Sequence, residues 1–222
     1  MNASTHAFDG NLARATLGSH WLDAMLRWRA TDILRKARLD RHLPANGLLL
    51  DLGAGLGHLS EAVLRRDGRR CIAVDPVWSP QSPLAARLQR TGQGRLRMVH
   101  ADGRSLPFAA DSFDAGWCAF VLHHLAPLAQ EQTLAEVARV LRPGAAFVLI
   151  EDTPANDATL RADRRLNFEG KAAPHHYRSP DAWRALLHAH GLPPVDETAF
   201  TAVFPRVTLR RVPHRAFVCR RA

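Results

Sequence analysis

The stretch Leu48-Leu49-Leu50-Asp51-Leu52-Gly53-Ala54-Gly55-Leu56-Gly57-His58 decides the reading of this chain. Its three leucines read as a short buried strand, and the glycines after them read as a turn. Glycine carries no Cβ and adopts positive φ readily, so such a turn lets the backbone come close to a ligand. Leu59, Ala62 and Val63 then recur at i, i+3 and i+4, which predicts a helix, with Ser60 placed to cap its first N–H groups. Strand, glycine turn and helix together form a nucleotide-type cradle. A dinucleotide fingerprint G-x-G-x-x-G would need glycine at position 58, where this chain has His58. A nicotinamide oxidoreductase is therefore disfavoured.

Outward from that stretch, strands and helices alternate. Upstream, Leu22, Met25, Leu26, Ile33, Leu34 and Ala37 repeat at helical spacing, predicting one or two amphipathic helices that end near Pro44 and Gly47. Downstream, residues 71–74 form a short apolar run ending in Asp75-Pro76, and residues 96–100 a third candidate strand ending in Ala101-Asp102-Gly103. Residues 113–120 read as the fourth strand. Leu134, Val137, Val140 and Leu141 mark a helix stopped by Pro143-Gly144, and residues 145–150 a fifth strand before Glu151-Asp152. Residues 180–190 read as a helix with Trp183, Leu186 and Leu187 on one face and Gly191 at its end. Two strands, roughly 197–204 and 214–219, finish the chain.

This order predicts an α/β fold: a doubly wound, seven-stranded, mostly parallel sheet with helices on both faces and an N-terminal helical cap. The expected division is a helical segment or lid over 1–45 and a main domain over 46–222. Residues 153–180 would form a substrate-side insert, a helix or flap. Ligands in such sheets bind beyond the carboxyl ends of the strands. Asp51, Asp75, Asp102 and Glu151-Asp152 should then converge on one edge.

Composition limits the function classes. No run of about 18 apolar residues occurs, so no membrane span is expected. Residues 1–10 lack the layout of a signal peptide, which makes the cytoplasm the expected location. Cys71, Cys118 and Cys219 are far apart and form no C-x-x-C pair, so neither a disulfide framework nor a metal site is expected. The formal charge is +9, almost all of it arginine, since Lys36 and Lys171 are the only lysines. Arg206, Arg210, Arg211, Arg215, Arg220 and Arg221 follow Glu197 with no acid after it. That face would steer an acidic partner such as a carrier protein, a phosphorylated substrate or RNA, or would be plain solvated surface. A monomer and a homodimer are both compatible with the sequence.

Taken in order, the motifs resemble the class I S-adenosylmethionine (SAM) dependent methyltransferases, and the small-molecule type 11 subgroup most closely. Residues 48–57 look like that family's motif I, and Val74-Asp75-Pro76 resembles the acidic end of its second strand. Ala101-Asp102-Gly103 with Leu106-Pro107-Phe108 is similar to its D-a-x-x-L-P-F stretch. Ser112-Phe113-Asp114 followed by Val121-Leu122-His123-His124 resembles s-F-D … v-L-h-H. Leu141-Arg142-Pro143-Gly144-Ala145 matches L-x-P-G-G except at Ala145. The resemblance covers about residues 45–152, and more loosely 175–191. It implies a Rossmann-like fold with SAM as methyl donor and S-adenosylhomocysteine (SAH) as product.

The resemblance also implies roles for particular residues. Gly53, Ala54 and Gly55 would meet the methionine part of SAM, and Asp75 with Pro76 would meet the ribose side. Asp102 would accept from the adenine amino group, with the Gly103 N–H on a ring nitrogen. Cys118 would offer its carbonyl to the ammonium, and Asp51 would add negative potential there. His123 and His124 are the candidate general bases for a hydroxyl acceptor, because imidazole titrates near neutral pH. His175, His176 and Glu151 come second. Trp21, Trp28, Phe168 and Tyr177 would line an aromatic pocket or anchor the core. The chain has no Asn/Asp-Pro-Pro-Tyr/Phe loop and no Pro-Cys nucleophile, which disfavours DNA amino and cytosine targets. A small organic acceptor is expected, methylated at oxygen and either free or carrier-bound. An RNA methyltransferase and a catalytically silent SAM-binding protein are the alternatives.

Overall fold

The computed structural model describes residues 19–65, 68–77, 94–154, 175–202 and 212–222. β1 (Gly47–Leu52) lies between β2 (Arg69–Val74) and β4 (Phe113–Ala119), parallel to both. β3 (Leu96–Val99) flanks β2, and β5 (Leu141–Asp152) flanks β4, again parallel. β7 (Val212–Arg220) runs antiparallel to β5 and carries β6 (Pro194–Ala202) at the edge. The seven strands stand in the order β3-β2-β1-β4-β5-β7-β6. In register, Leu52 aligns with Val74 and Cys118, Val74 with Val99, and Cys118 with Leu149. The residues that follow these strands therefore sit at one level along the carboxyl edge.

Both faces of the sheet are covered, because each central strand sends apolar side chains alternately to either side. One face packs Leu50, Phe147, Leu149 and Phe217 against α4 (Pro127–Val140) and α5 (Pro180–Ala189), through Leu134, Val137, Trp183 and Leu187. The other packs Leu49, Trp117, Val148 and Val218 against α1 (Ser19–Lys36), α2 (Leu39–His42) and α3 (His58–Val63). α1 also reaches α3 through Arg27 with Glu61 and Asp23 with His58. Among the described residues no helix is long and apolar enough to cross a membrane.

Three local expectations are corrected. Ser60 is not a cap: Gly57 occupies the N-cap of α3 at φ 70°, and the Ser60 hydroxyl donates to Asp51 instead. α4 ends at Val140, before Pro143-Gly144, because the N–H groups of Asp111 and Ser112 take the carbonyls of Arg139 and Val140. Leu141 is already in β5, paired with Phe113, and Pro143-Gly144 lies inside that strand. β6 begins at Pro194, earlier than expected, while residues 203 and 204 lie outside the described residues.

Arg69 anchors the amino end of β2 and is 1% exposed. Its guanidinium ion-pairs with Asp40 of α2 and donates to the carbonyls of Pro44 (2.8 Å), Leu43 (3.2 Å) and Val63 (3.4 Å). One side chain thus joins the ends of α2 and α3 to the sheet. Removing one partner of a buried pair leaves the other charge and several carbonyls without donors. Arg69→Met should therefore cost about 3 kcal/mol in urea unfolding. A loss under about 0.5 kcal/mol, the range of a neutral surface change, would contradict this account.

Candidate active site

The glycine turn is built around two different glycine needs. At Gly53 (φ 71°) an added Cβ would come within 2.3 Å of Val121 Cγ2, so packing as well as backbone conformation excludes a side chain. At Gly55 (φ 52°) an added Cβ would meet nothing within 4 Å. One glycine therefore serves a close approach inside the protein, and the other borders open space. The N–H groups of Gly53 and Ala54 both donate to Val74 O, at 2.8 and 3.1 Å. The Gly55 N–H donates to Asp75 Oδ2 at 2.8 Å, and the Val77 N–H to Asp75 Oδ1 at 2.9 Å. Asp75 is half-buried and keeps acceptor capacity beyond these two bonds. Pro76 is exposed beside it, its carbonyl 2.7 Å from His100 Nε2.

Asp51 lies beneath the turn, 2% exposed, and accepts from Ser60 Oγ at 2.5 Å. Burial pushes its carboxyl up to about 7; the negative charge of Asp75 adds to this, and bonding from Ser60 and Trp117 opposes it. Such a carboxyl is poised to accept a nearby cation. Cys118 is fully buried between β1 and β5, and burial next to Glu151 and Asp51 raises its thiol well above the ordinary range. Any role it has toward a ligand belongs to its backbone. Asp102 is exposed and bound by the Arg104 guanidinium, which holds its carboxyl below the usual carboxylate range. Gly103 packs close to Leu52 and Thr133, so it stands against the end of β1.

Beyond β4 the chain turns through Phe120, a non-glycine residue at φ 60°, into a 3-10 turn over Leu122–His124. Left-handed backbone at such a residue persists only where its surroundings impose it. Glu151, fully buried, imposes it by accepting from the N–H groups of Val121 (3.2 Å) and Leu122 (2.7 Å) and contacting His123 Nδ1 at 2.6 Å. Gln130, also buried, donates to the carbonyls of Leu122, Leu125 and His176 and receives Arg178. His123 is fully buried, with Nε2 facing Asp152 at 3.8 Å. His124 is half-buried, its ring centroid 4.1 Å from that of His123 and 4.5 Å from that of His175. Tyr177 stacks on His123 at 5.2 Å.

A methyltransferase domain model matches residues 50–149, from within β1 to within β5. The matched span is similar to the methyltransferase domain of that family, in keeping with the resemblance to the class I, type 11 SAM-dependent methyltransferases. Among methyltransferase relatives the chain is 31% identical over 147 residues to an uncharacterized methyltransferase, YcgJ, of Bacillus subtilis, covering 65% of this chain and 56% of that protein. It is 38% identical over 103 residues to the demethylmenaquinone methyltransferase of Clavibacter sepedonicus, covering 46% and 40%. The chain thus spans about half the length of these curated relatives. The 1,6-didemethyltoxoflavin-N1-methyltransferase of Burkholderia thailandensis, solved with 1,6-didemethyltoxoflavin and SAH bound, superposes with a TM-score of 0.66. That match is at 25% identity and covers 92% of this chain and 81% of that one.

Several residues of this methyltransferase edge were not visible in the sequence. Gln130 and His214 carry no motif, Phe120 entered only as part of the stretch after the fourth strand, and Glu151 only as a second-rank base rather than as the acid that holds the turn. Trp28 is half exposed on α1, whereas the side chains of Trp21 and Phe168 lie outside the described residues. Of the basic C-terminal run, residues 206, 210 and 211 also lie outside them. Arg215 is paired with Glu197, and Arg220 and Arg221 bond to the carbonyls of Gly144 and Leu141.

The raised carboxyl of Asp51 predicts a pH signature. The folded state holds that proton up to about pH 7, whereas the unfolded chain releases it near 3.8. Stability from this group is thus full below about pH 3.8, falls by up to about 1.4 kcal/mol per pH unit toward pH 7, and is flat above. Asp51→Asn removes that fall, so its stability relative to the natural chain should rise between pH 5 and pH 7. Parallel unfolding curves over that range would show that Asp51 does not carry the shift.

Proposed function

We propose that this chain transfers a methyl group from SAM to a small organic acceptor, with oxygen as the favoured receiving atom. The observation that carries this reading is the pairing of Gly55, which opens on free space, with Asp75 and Asp51 beneath it. The residues fit the group: a Cβ-free opening at Gly55, hydrogen-bond acceptors at Asp75 and a proton-releasing carboxyl at Asp51 suit a ligand that carries hydroxyls and positive charge. When bound, SAM supplies an already activated methyl group.

The chain's own residues then have four tasks. Gly53, Ala54 and Gly55 shape the backbone around the methionine part, and Asp51 counters its cationic groups. Asp75 and Pro76 take the ribose side. Asp102 and Gly103 take the adenine, with Arg104 fixing the Asp102 carboxylate. The Cys118 carbonyl meets the ammonium. These assignments rest on the family resemblance together with the positions described above.

For the base, the arrangement supports a division of labour between His123 and His124. Both ring nitrogens of His123 face carboxylates, so it holds the turn and its neighbour in place. His124, half-buried at the mouth, is the imidazole that removes the acceptor proton. Carbon is the second reading for the receiving atom, favoured by one observation: demethylmenaquinone and ubiquinone/menaquinone C-methyltransferases stand among the relatives. Arg215 and Arg221 are ion-paired within the chain to Glu197 and Asp111, which leaves a carrier protein or RNA less charge to meet on the described part of that face.

Calorimetry with SAH and with NAD tests the cofactor: SAH should bind and NAD should not, and the reverse would overturn the reading. For the base, His124→Ala should lower kcat about 100-fold with SAH affinity unchanged. His123→Ala should lower stability as well as turnover. Unchanged turnover in both variants would remove the pair from catalysis.

A further inference from the structure

His100 is the first residue past β3, and the reading above gives it no task. Its exposed imidazole nevertheless joins two strand ends: Nε2 stands 2.7 Å from Pro76 O, 24 residues away in sequence. A carbonyl only accepts, so Nε2 carries the hydrogen. Beside it the Asp75 N–H donates to Val99 O at 3.2 Å. The two bonds continue the β2–β3 ladder beyond its last register pair, Val74 with Val99.

The segment held in this way is the one that aims the Asp75 carboxylate. Each carboxylate oxygen is fixed by one N–H: Oδ2 by Gly55 of the glycine turn, and Oδ1 by Val77. The Val77 N–H and the Pro76 carbonyl belong to the same peptide group, which is planar and trans, so they point in opposite directions. Fixing the carbonyl on His100 therefore aims the N–H at Asp75 Oδ1. Pro76 adds stiffness, since its ring locks φ and removes a competing donor. Pro76 and Val77 are both exposed, so without the imidazole this peptide would trade its partners for water and rotate. The Oδ1 oxygen would then lose its donor, and the carboxylate would be tied to the glycine turn alone.

We infer that His100 is a positioning residue for the cofactor: its Nε2–H, acting through the Pro76–Val77 peptide, sets the orientation in which Asp75 receives the ribose hydroxyls of SAM. The ligand in this inference rests on the methyltransferase reading. The hold on Asp75 rests on the hydrogen bonds alone, so the two can fail separately.

Two measurements on the full chain test it: the amide proton NMR signal of Val77 in the ligand-free chain, and SAH affinity by calorimetry. In His100→Ala the Val77 signal should move toward its unbonded position, and SAH should bind about fivefold more weakly, the worth of one hydrogen bond. His100→Gln places a side-chain N–H within reach of the same carbonyl. It should restore the Val77 signal and bring SAH affinity back to within about twofold of the natural chain. A Val77 signal unmoved in His100→Ala overturns the hold on Asp75. An SAH affinity unchanged in that variant overturns the role in cofactor binding. A loss that His100→Gln does not repair assigns the effect to the ring instead of the donated bond, and overturns the inference as well. Failure of the natural chain to bind SAH overturns the methyltransferase reading and the ligand named here, while the Val77 signal still decides the hold on Asp75.

Discussion

A carboxylate buried away from water must find donors on most sides or lose its charge. Glu151 meets that condition at the end of β5 through three consecutive residues past β4: the N–H groups of Val121 and Leu122 donate to it, and the Nδ1 of His123 lies 2.6 Å away. The geometry this forces is specific. The chain must reverse at Phe120 through left-handed backbone so that Val121 and Leu122 turn their N–H groups toward β5. Turned that way, the Val121 side chain presses on residue 53, where nothing larger than glycine fits. The glycine of the cofactor turn is thus required by a carboxylate two strands away. Gln130 completes the arrangement by donating to two carbonyls of the same loop, so its polar groups meet buried partners in both directions.

Asp51 shows the opposite economy. Its hydroxyl partner Ser60 and the nearby indole of Trp117 do not offset its burial and the charge of Asp75, and the fold is less stable near neutral pH for carrying it. A packed asparagine would serve the fold better. Retaining an under-compensated acid beneath the glycine turn makes sense where the compensating charge arrives with a ligand. This is how local rules of stability are broken at sites of function.

The parts of this architecture that were legible in the sequence follow from short-range physics. Buried strands of the parallel core read as apolar runs, glycine turns as punctuation, and each strand's trailing acid as a marker of one edge; the strand order β3-β2-β1-β4-β5-β7-β6 was not read from the sequence, since it depends on pairings between distant segments. The boundary at Val140 was misplaced because the residues that terminate α4, Asp111 and Ser112, lie in a distant loop. Ser60 was misread for a similar reason: a serine in a first helical turn has a local use, and only the register of β1 shows that an unsatisfied acid waits below it. Arg69 and Gln130 entered no reading of the sequence, since nothing local predicts that their partners are carbonyls gathered from two or three elements. The candidate site was legible as motifs around the cofactor, whereas the Asp152–His214 pair was not, because an antiparallel strand pairing between residues far apart in the chain places it.

The end of β5 divides its two carboxylates between different partners. Successive side chains of a strand point to opposite faces. Glu151 turns toward the β4 loop, where it sets the backbone that carries Val121 against Gly53. Asp152, the next residue, pairs with His214 of β7. One strand end thus holds the β4 loop through one carboxylate and β7 through the other, with His123 near both. Changes in β6 and β7 can then accumulate without disturbing the hydrogen bonds that set the glycine turn.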